Sequence, residues 1–266
     1  MALRPLAAGA RVTGIITLLT DFGTSDGYVA EMKGTLLRLA PGASVVDLAH
    51  DIPPGDIAAA AYAIGRSWRA FPPGTVHCCV VDPGVGTSRR ALAGQAGGMA
   101  FTGPDNGLFT HVLASTSASL VELWPGRPAS ATFHGRDVFA PAAAKLALGA
   151  GLEDLGTPVR DPVLLRAPML LHDGDDIVGE VVHVDRFGTL VTNLPGSLVR
   201  GGQVRIGAAV LPLRTTFADV PPRSPVAFIG SGGTVEVAAR DARAEVVLGL
   251  GVGAEVRWSA RTRTGG

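Results

Sequence analysis

Residues 15–49 read IITLLTDFGTSDGYVAEMKGTLLRLAPGASVVDLA, and their reading decides the fold. The opening run IITLLT is apolar, β-rich and short, as a strand should be. After it, Val29, Met32, Leu36 and Leu39 recur at helical spacing, with Ser25 placed to cap the first turn and Pro41 and Gly42 to end the last. SVVDLA is the next strand. A second helix follows DIPPGD with Ile57, Ala61, Ile64 and Trp68 on one stripe, and FPPG stops it before the strand TVHCCVV. Strand, helix, strand, helix, strand calls for crossover connections and therefore for parallel pairing. Residues 13–168 are expected to form an α/β domain with a mostly parallel sheet.

Beyond the polar HDGDD the texture changes to short Val-rich runs separated by turns: VGEVVHVD, TLVTNL, QVRI, AVLPLR, VAFI, TVEVAA, AEVVLG and AEVRW. No helical stripe interrupts them, so residues 175–258 are expected to form a smaller all-β barrel or sandwich. The 36 glycines and 19 prolines sit at element ends without a fixed period, which excludes a solenoid or a collagen-like chain.

Composition narrows the partners. With 47% hydrophobic and 17% charged residues, a chain of 266 residues can bury a real core. Lys+Arg and Asp+Glu both number 23, so no positive excess speaks for nucleic acid or an anionic membrane, and a small-molecule substrate is the expectation. No apolar stretch approaches the roughly 20 residues of a membrane span. MALRPLAAGA has too short an apolar run for a secretory signal, and a cytoplasmic location is expected. Cys78 and Cys79 are adjacent inside a strand, which suits buried thiols and gives no disulfide framework or metal spacing. The H-E-x-x-H, G-x-S-x-G and P-loop patterns are all missing, so neither a bound metal nor a serine hydrolase is expected.

Ligands of an open α/β sheet bind beyond the carboxyl ends of its strands. Asp21, His50 with Asp51, Asp82, and Asp105 with Asn106 each follow an apolar run, and all are expected on one rim. Asp21 could cap its own turn or accept hydrogen bonds from a vicinal diol. In VDPGVGTSRR, Asp82 and Arg89 could form a loop ion pair or belong to an active site. TFHGRDVFAP sets His134 and Arg136 before a helix that Asp137 could cap, and a lone histidine is more often structural. Asp185, Arg186 and Phe187 in HVDRFGTLVTNLP read as a bend, as does Ser231 in FIGSGGTVEV.

Taken in order, LLTDFGTSDGYV, VVDLAHDIPPGDIAAAA, VVDPGVGTSRR, GPDNGL, TFHGRDVFAP, HVDRFGTLVTN, SGGTVEVA and LGLGVGAEV resemble the S-adenosyl-L-methionine hydroxide adenosyltransferases. These are the adenosine-forming hydrolases related to fluorinase and chlorinase. The resemblance implies an α/β domain followed by a β-barrel, and a homotrimer with active sites between subunits. It implies that S-adenosyl-L-methionine is the substrate, cleaved to adenosine and L-methionine with no further cofactor. By the same likeness, Asp82, Arg89 and His134 activate water, Asp21 binds the ribose hydroxyls, Asp185 the methionine ammonium and Ser231 its carboxylate. Phe133 and Phe187 would line the pocket, and Asn106 would shape the loop beside the nucleoside.

Two departures from the family pattern bear on specificity. Thr189 stands where relatives carry Asn, which moves adenine recognition to backbone groups or to Asn193. Gly135 replaces a serine of the halogenating relatives, and Asp82 a tyrosine of fluorinase; a fixed carboxylate repels an incoming halide and so favours water. The alternatives are a halogenase that makes 5′-halo-5′-deoxyadenosine and a non-catalytic sensor of the same ligands.

Overall fold

A computed structural model describes residues 13–124, 126 and 130–260, so MALRPLAAGA and the tail RTRTGG lie outside the described residues. The chain divides into two compact units, with the boundary in the sequence between Leu165 and Arg166.

The first unit holds a seven-stranded sheet made of β1 (Ile15–Thr20), β2 (Ser44–Ala49), β3 (Val76–Val80), β4 (Ala91–Ala96), β5 (Met99–Pro104), β6 (Ala118–Leu123) and β7 (Gly156–Pro158), in the order β2-β1-β3-β5-β4-β6-β7. The run from β2 to β5 is parallel, and β4, β6 and β7 extend it antiparallel. The sheet is therefore mixed, with its parallel part at the start of the chain. β4 and β5 form a hairpin whose Gly97 and Gly98 both take positive φ, as a two-residue turn matched to strand twist requires.

Helices α1 (Tyr28–Leu39) and α2 (Ile57–Ser67) make the crossovers, and α3 (Thr110–Ser115) and α4 (Ala140–Ala147) complete the layers. Alternate strand residues feed two cores. Ile16, Leu18, Cys78 and Val80 pack with Met32 and Leu36 of α1 and with the alanines of α4. Leu19, Cys79 and Val81 pack with Ala60 and Ile64 of α2 and with Trp68. The adjacent cysteines thus face opposite cores. Burial pushes the Cys78 thiol up to about 12 and Cys79 well above its usual range, which makes both inert.

Ser25 does not cap α1; Gly27 holds that position and makes no side-chain cap. Leu39 is exposed, and Thr35 takes the buried place on the stripe. For α2 the cap is Asp56, which accepts from the Ala59 N–H at 2.9 Å.

The second unit is built from β8 (Leu171–Asp173), β9 (Asp176–Val184), β10 (Leu190–Pro195), β11 (Gln203–Ile206), β12 (Ala209–Arg214), β13 (Pro225–Ile229), β14 (Thr234–Ala239) and β15 (Glu255–Ser259). The order β10-β14-β13-β12-β11-β15-β9 closes on itself through the β9–β10 pairing, which gives a seven-stranded barrel with β8 attached to β9. AEVVLG, expected as a strand, contains the short helix α5 (Ala244–Leu248), ended by Gly249 in the left-handed conformation. No helix among the described residues is long and apolar enough to cross a membrane.

Candidate active site

β3 delivers Asp82 to the rim of the first unit just past Val81. The PG turn then folds back on itself: Val85 N–H donates to the Asp82 carbonyl at 3.2 Å, and Thr87 N–H and Oγ1 both donate to the Gly84 carbonyl. This brings Arg89 beside Asp82. Arg89 Nε donates to Asp82 Oδ1 at 2.9 Å while Nη2 donates to Oδ2, a bidentate pair with side chains only 5% and 11% exposed for Asp82 and Arg89. At Gly86, with positive φ, the backbone approaches the Ala131 carbonyl, so the loop lies against the segment that carries His134. Arg89 Nη2 also donates to His134 Nδ1 at 2.8 Å.

A guanidinium has no lone pair, so His134 Nδ1 must be the acceptor and the ring proton must sit on Nε2. Burial, then the positive charge of Arg89, lowers the pKa of His134 and keeps the ring neutral. The loop ion pair expected from the sequence exists, and a histidine 45 positions away completes it.

His134 opens a π-helical turn, Gly135–Phe139, that runs into α4. Such turns insert an extra residue into a helix and are frequent at functional sites. Phe139 lies under the Arg89 guanidinium at 5.2 Å. Asp137 does not cap a helix; its carboxylate accepts from the Ser130 N–H at 2.7 Å and pairs with Arg136.

An aromatic wall stands beside this cluster. Phe22, Tyr28 and Phe133 meet edge to face with centroids 5.4–5.9 Å apart, and Arg136 stacks on Phe133 at 4.9 Å. Phe22 and Tyr28 were not among the residues singled out from the sequence; Phe22, directly after Asp21 at a strand end, was the available signal. Gly135 packs at the base of the wall, where a Cβ would stand 3.0 Å from Met32 Sδ, 3.3 Å from Phe133 and 3.4 Å from Phe22. Gly135→Ala gains up to about 1 kcal/mol of backbone entropy but overpacks at a cost of about 1–3 kcal/mol. A net loss of about 1 kcal/mol is expected in urea unfolding, and an unchanged midpoint would show that Met32 yields freely.

Asp21 Oδ2 accepts from the Gly55 N–H at 2.8 Å, and Gly55 abuts Pro83, so the Asp21 loop and the Asp82 loop adjoin. Asn106 is spent on backbone: Nδ2 donates to the Val81 carbonyl at 2.9 Å and Oδ1 accepts from the Leu108 N–H. Asp105 is buried, paired with Arg90 and accepting from the Val163 N–H, while Asp51 is exposed. Arg90 and Arg136 are therefore turned to other carboxylates, away from Asp82.

In the second unit, Asp185 Oδ1 accepts from the N–H groups of Phe187 and Thr189 at 2.9 and 2.8 Å, an Asx turn that pushes Phe187 out to 78% exposure. Asp185, Phe187 and Thr189 line a cavity of about 840 Å³ together with Phe217, Ala239 and Arg243. Asn193 does not line it. Its amide donates to the Met169 carbonyl at 2.6 Å and accepts from the Glu180 N–H at 2.7 Å. Ser231 lies exposed in the bend between β13 and β14.

A mixed α/β sheet with a part-buried Asp–Arg–His chain beyond its parallel strands, followed by a closed barrel, defines an enzyme acting on a small molecule. Residues 16–156 match the N-terminal domain of SAM hydroxide adenosyltransferase and residues 179–257 its C-terminal domain. The chain belongs to that family. It is 46% identical to an (R)-S-adenosyl-L-methionine hydrolase from Thermus thermophilus, over 91% of this chain and 98% of the relative. A more distant relative, a fluorinase from Nocardia brasiliensis, is 30% identical over 91% of this chain and 96% of its own. A solved structure of a conserved protein from Thermotoga maritima superposes with a TM-score of 0.85 at 32% identity, covering 92% of this chain and 99% of the other.

Proposed function

We propose that this protein hydrolyses S-adenosyl-L-methionine to adenosine and L-methionine, and that it prefers the (R) epimer at sulfur. The observation that carries the reading is the continuous chain Asp82–Arg89–His134, whose carboxylate lies on the rim beyond β3. The sulfonium is its own leaving group, so no general acid is needed. Water adds its oxygen to C5′, the C5′–S bond breaks with its electron pair going to sulfur, and one proton is released. The site must polarise that water and hold it in line.

The tautomer assigns the roles. His134 Nδ1 is occupied by Arg89, so the ring offers an Nε2–H donor that orients the water's lone pair. Asp82 keeps a lone pair on each oxygen after its two bonds to Arg89 and is the proton acceptor. Arg89 balances the charge that hydroxide character builds up. Its burial makes each of these interactions stronger than in water.

Substrate binding follows the same pattern. Asp21 has one oxygen held by Gly55, and the other takes the ribose hydroxyls. Phe22, Tyr28 and Phe133 offer ring faces to the sulfonium. Asp185 spends one oxygen on its own turn and gives the other to the methionine ammonium, while Ser231 binds the carboxylate and Phe187 flanks the nucleoside. Because Asn193 is committed to backbone, adenine is read by backbone groups near Thr189. We assign a homotrimer, a cytoplasmic location and no cofactor to the enzyme on its family likeness.

The (R) preference rests on the name of the Thermus relative and on the pyramidal sulfonium, whose two epimers exchange the methyl and aminocarboxypropyl directions. The test is chromatography of reactions with each epimer, in buffers with and without chloride. Adenosine from the (R) epimer in both buffers is expected. A halogenated nucleoside would make the protein a halogenase, and intact substrate would make it a sensor.

A further inference from the structure

His50 lies on the rim but takes no part in the chemistry above. It follows the edge strand β2, yet it is only 6% exposed. Residues three apart on a regular strand face opposite sides. Here the β1–β2 register slips between Leu18↔Asp47 and Leu19↔Ala49, a bulge that re-aims the side chains beyond it. As a result His50 Nε2 lies 3.0 Å from Asp47 Oδ1, and His50 Nδ1 lies 2.8 Å from Thr20 Oγ1.

Asp47 can only accept, so His50 Nε2 carries the ring proton 3.0 Å from Oδ1, a charge–dipole contact and not an aligned hydrogen bond; Nδ1 is then left to accept from the Thr20 hydroxyl, whose oxygen takes the Phe22 N–H at 3.3 Å. Lys33 Nζ fixes the other Asp47 oxygen at 2.7 Å. The His50 carbonyl takes the Gly23 N–H at 2.8 Å. Two consecutive amides, those of Phe22 and Gly23, therefore hang from one relay, directly after Asp21. On the other side, Gly55 holds the Asp21 carboxylate.

We infer that Asp47, His50 and Thr20 form a positioning relay that sets the Asp21 carboxylate against the ribose diol, so that selection for both hydroxyls depends on residues that never touch the substrate. This rests on the reading that Asp21 binds ribose. His50 and Thr20 are positioning residues, and the relay's distinctive signature is a ligand preference. A merely structural role would weaken all nucleosides alike.

The experiment is calorimetric titration of adenosine, 2′-deoxyadenosine and 3′-deoxyadenosine into the full-length protein and its variants. The unmodified protein is expected to prefer adenosine at least about 10-fold over either deoxy form, each missing hydroxyl leaving a carboxylate lone pair unmet. Thr20→Val should narrow that preference below about 3-fold, with the loss falling on adenosine, and Thr20→Ser should restore it. Asp47 is solvent-accessible, so Asp47→Asn tests the relay from outside without disturbing the core, and should narrow the preference part of the way. Equal weakening of all three nucleosides by Thr20→Val, or no change, overturns the relay. If Thr20→Val fails to fold, an unchanged preference in Asp47→Asn overturns it instead. An unmodified protein that does not distinguish the three nucleosides would sink the ribose assignment of Asp21 itself, and the relay with it.

Discussion

Asp82→Asn is expected to lower the rate of adenosine formation about 1,000-fold, equivalent to about 4 kcal/mol of transition-state stabilisation. The substitution keeps the side chain's size, so the rim of β3 stays intact. It removes the one group in the Asp82–Arg89–His134 chain able to take a proton, because the ring nitrogen that would otherwise serve is occupied by Arg89. Adenosine affinity should change less than about 3-fold, since the carboxylate's work is done in the transition state and not in ground-state binding. Steady-state kinetics beside direct binding separates the two. A variant retaining a tenth of the rate would mean that His134 or bulk hydroxide takes the proton and that the tautomer argument is wrong.

Acid should destabilise the first unit through a residue far from this chemistry. His77 is buried in β3 with Nδ1 2.7 Å from Thr17 Oγ1 and Nε2 3.4 Å from Met99 Sδ. Burial pushes its pKa down from 6.5 to about 4, against the opposing effect of a backbone hydrogen bond with Trp68. Between these values the unfolded chain holds a proton that the folded one refuses, so stability falls as pH drops from about 6.5 to about 4, by about 3 kcal/mol in all. Burial lowers the pKa of His111 and His134 as well, so both add to the loss with the same sign. His77→Asn keeps an acceptor for Thr17 and does not titrate. Urea unfolding at pH 7 and pH 4 should show the variant losing about 3 kcal/mol less than the parent over that interval. Parallel losses would rule out His77 as the acid-sensitive group.

The alternation of β1, α1, β2, α2 and β3 was legible because apolar spacing alone separates a strand from an amphipathic helix. The β4–β5 hairpin was not, since ALAGQA, the run before its Gly97–Gly98 turn, is alanine-rich and has little strand character. AEVVLG shows the converse limit: five residues are too few to tell helix from strand by period, and the tertiary context chose the helix. Among the site residues, Asp82 and Arg89 stood out as charges in a rigid turn. Their link to His134 depends on the backbone contact at Gly86, a long-range feature that spacing does not encode. Asn193 shows what local reading misses, for its amide is consumed by a neighbouring strand and by a segment 24 positions earlier.

The closed ring of the second unit also sets a condition on biosynthesis. β9 begins at Asp176, but one of its two ring partners is β15, which ends at Ser259. While the ribosome is still making that stretch, the nascent barrel is an open sheet whose β9 and β11 edges both await the same strand. The first unit has paired all its strands by Pro158 and needs no such delay. A chain released before Glu255 would therefore carry a finished α/β unit and a barrel lacking one strand, open along two bare edges, the form most exposed to self-association and to quality-control proteases.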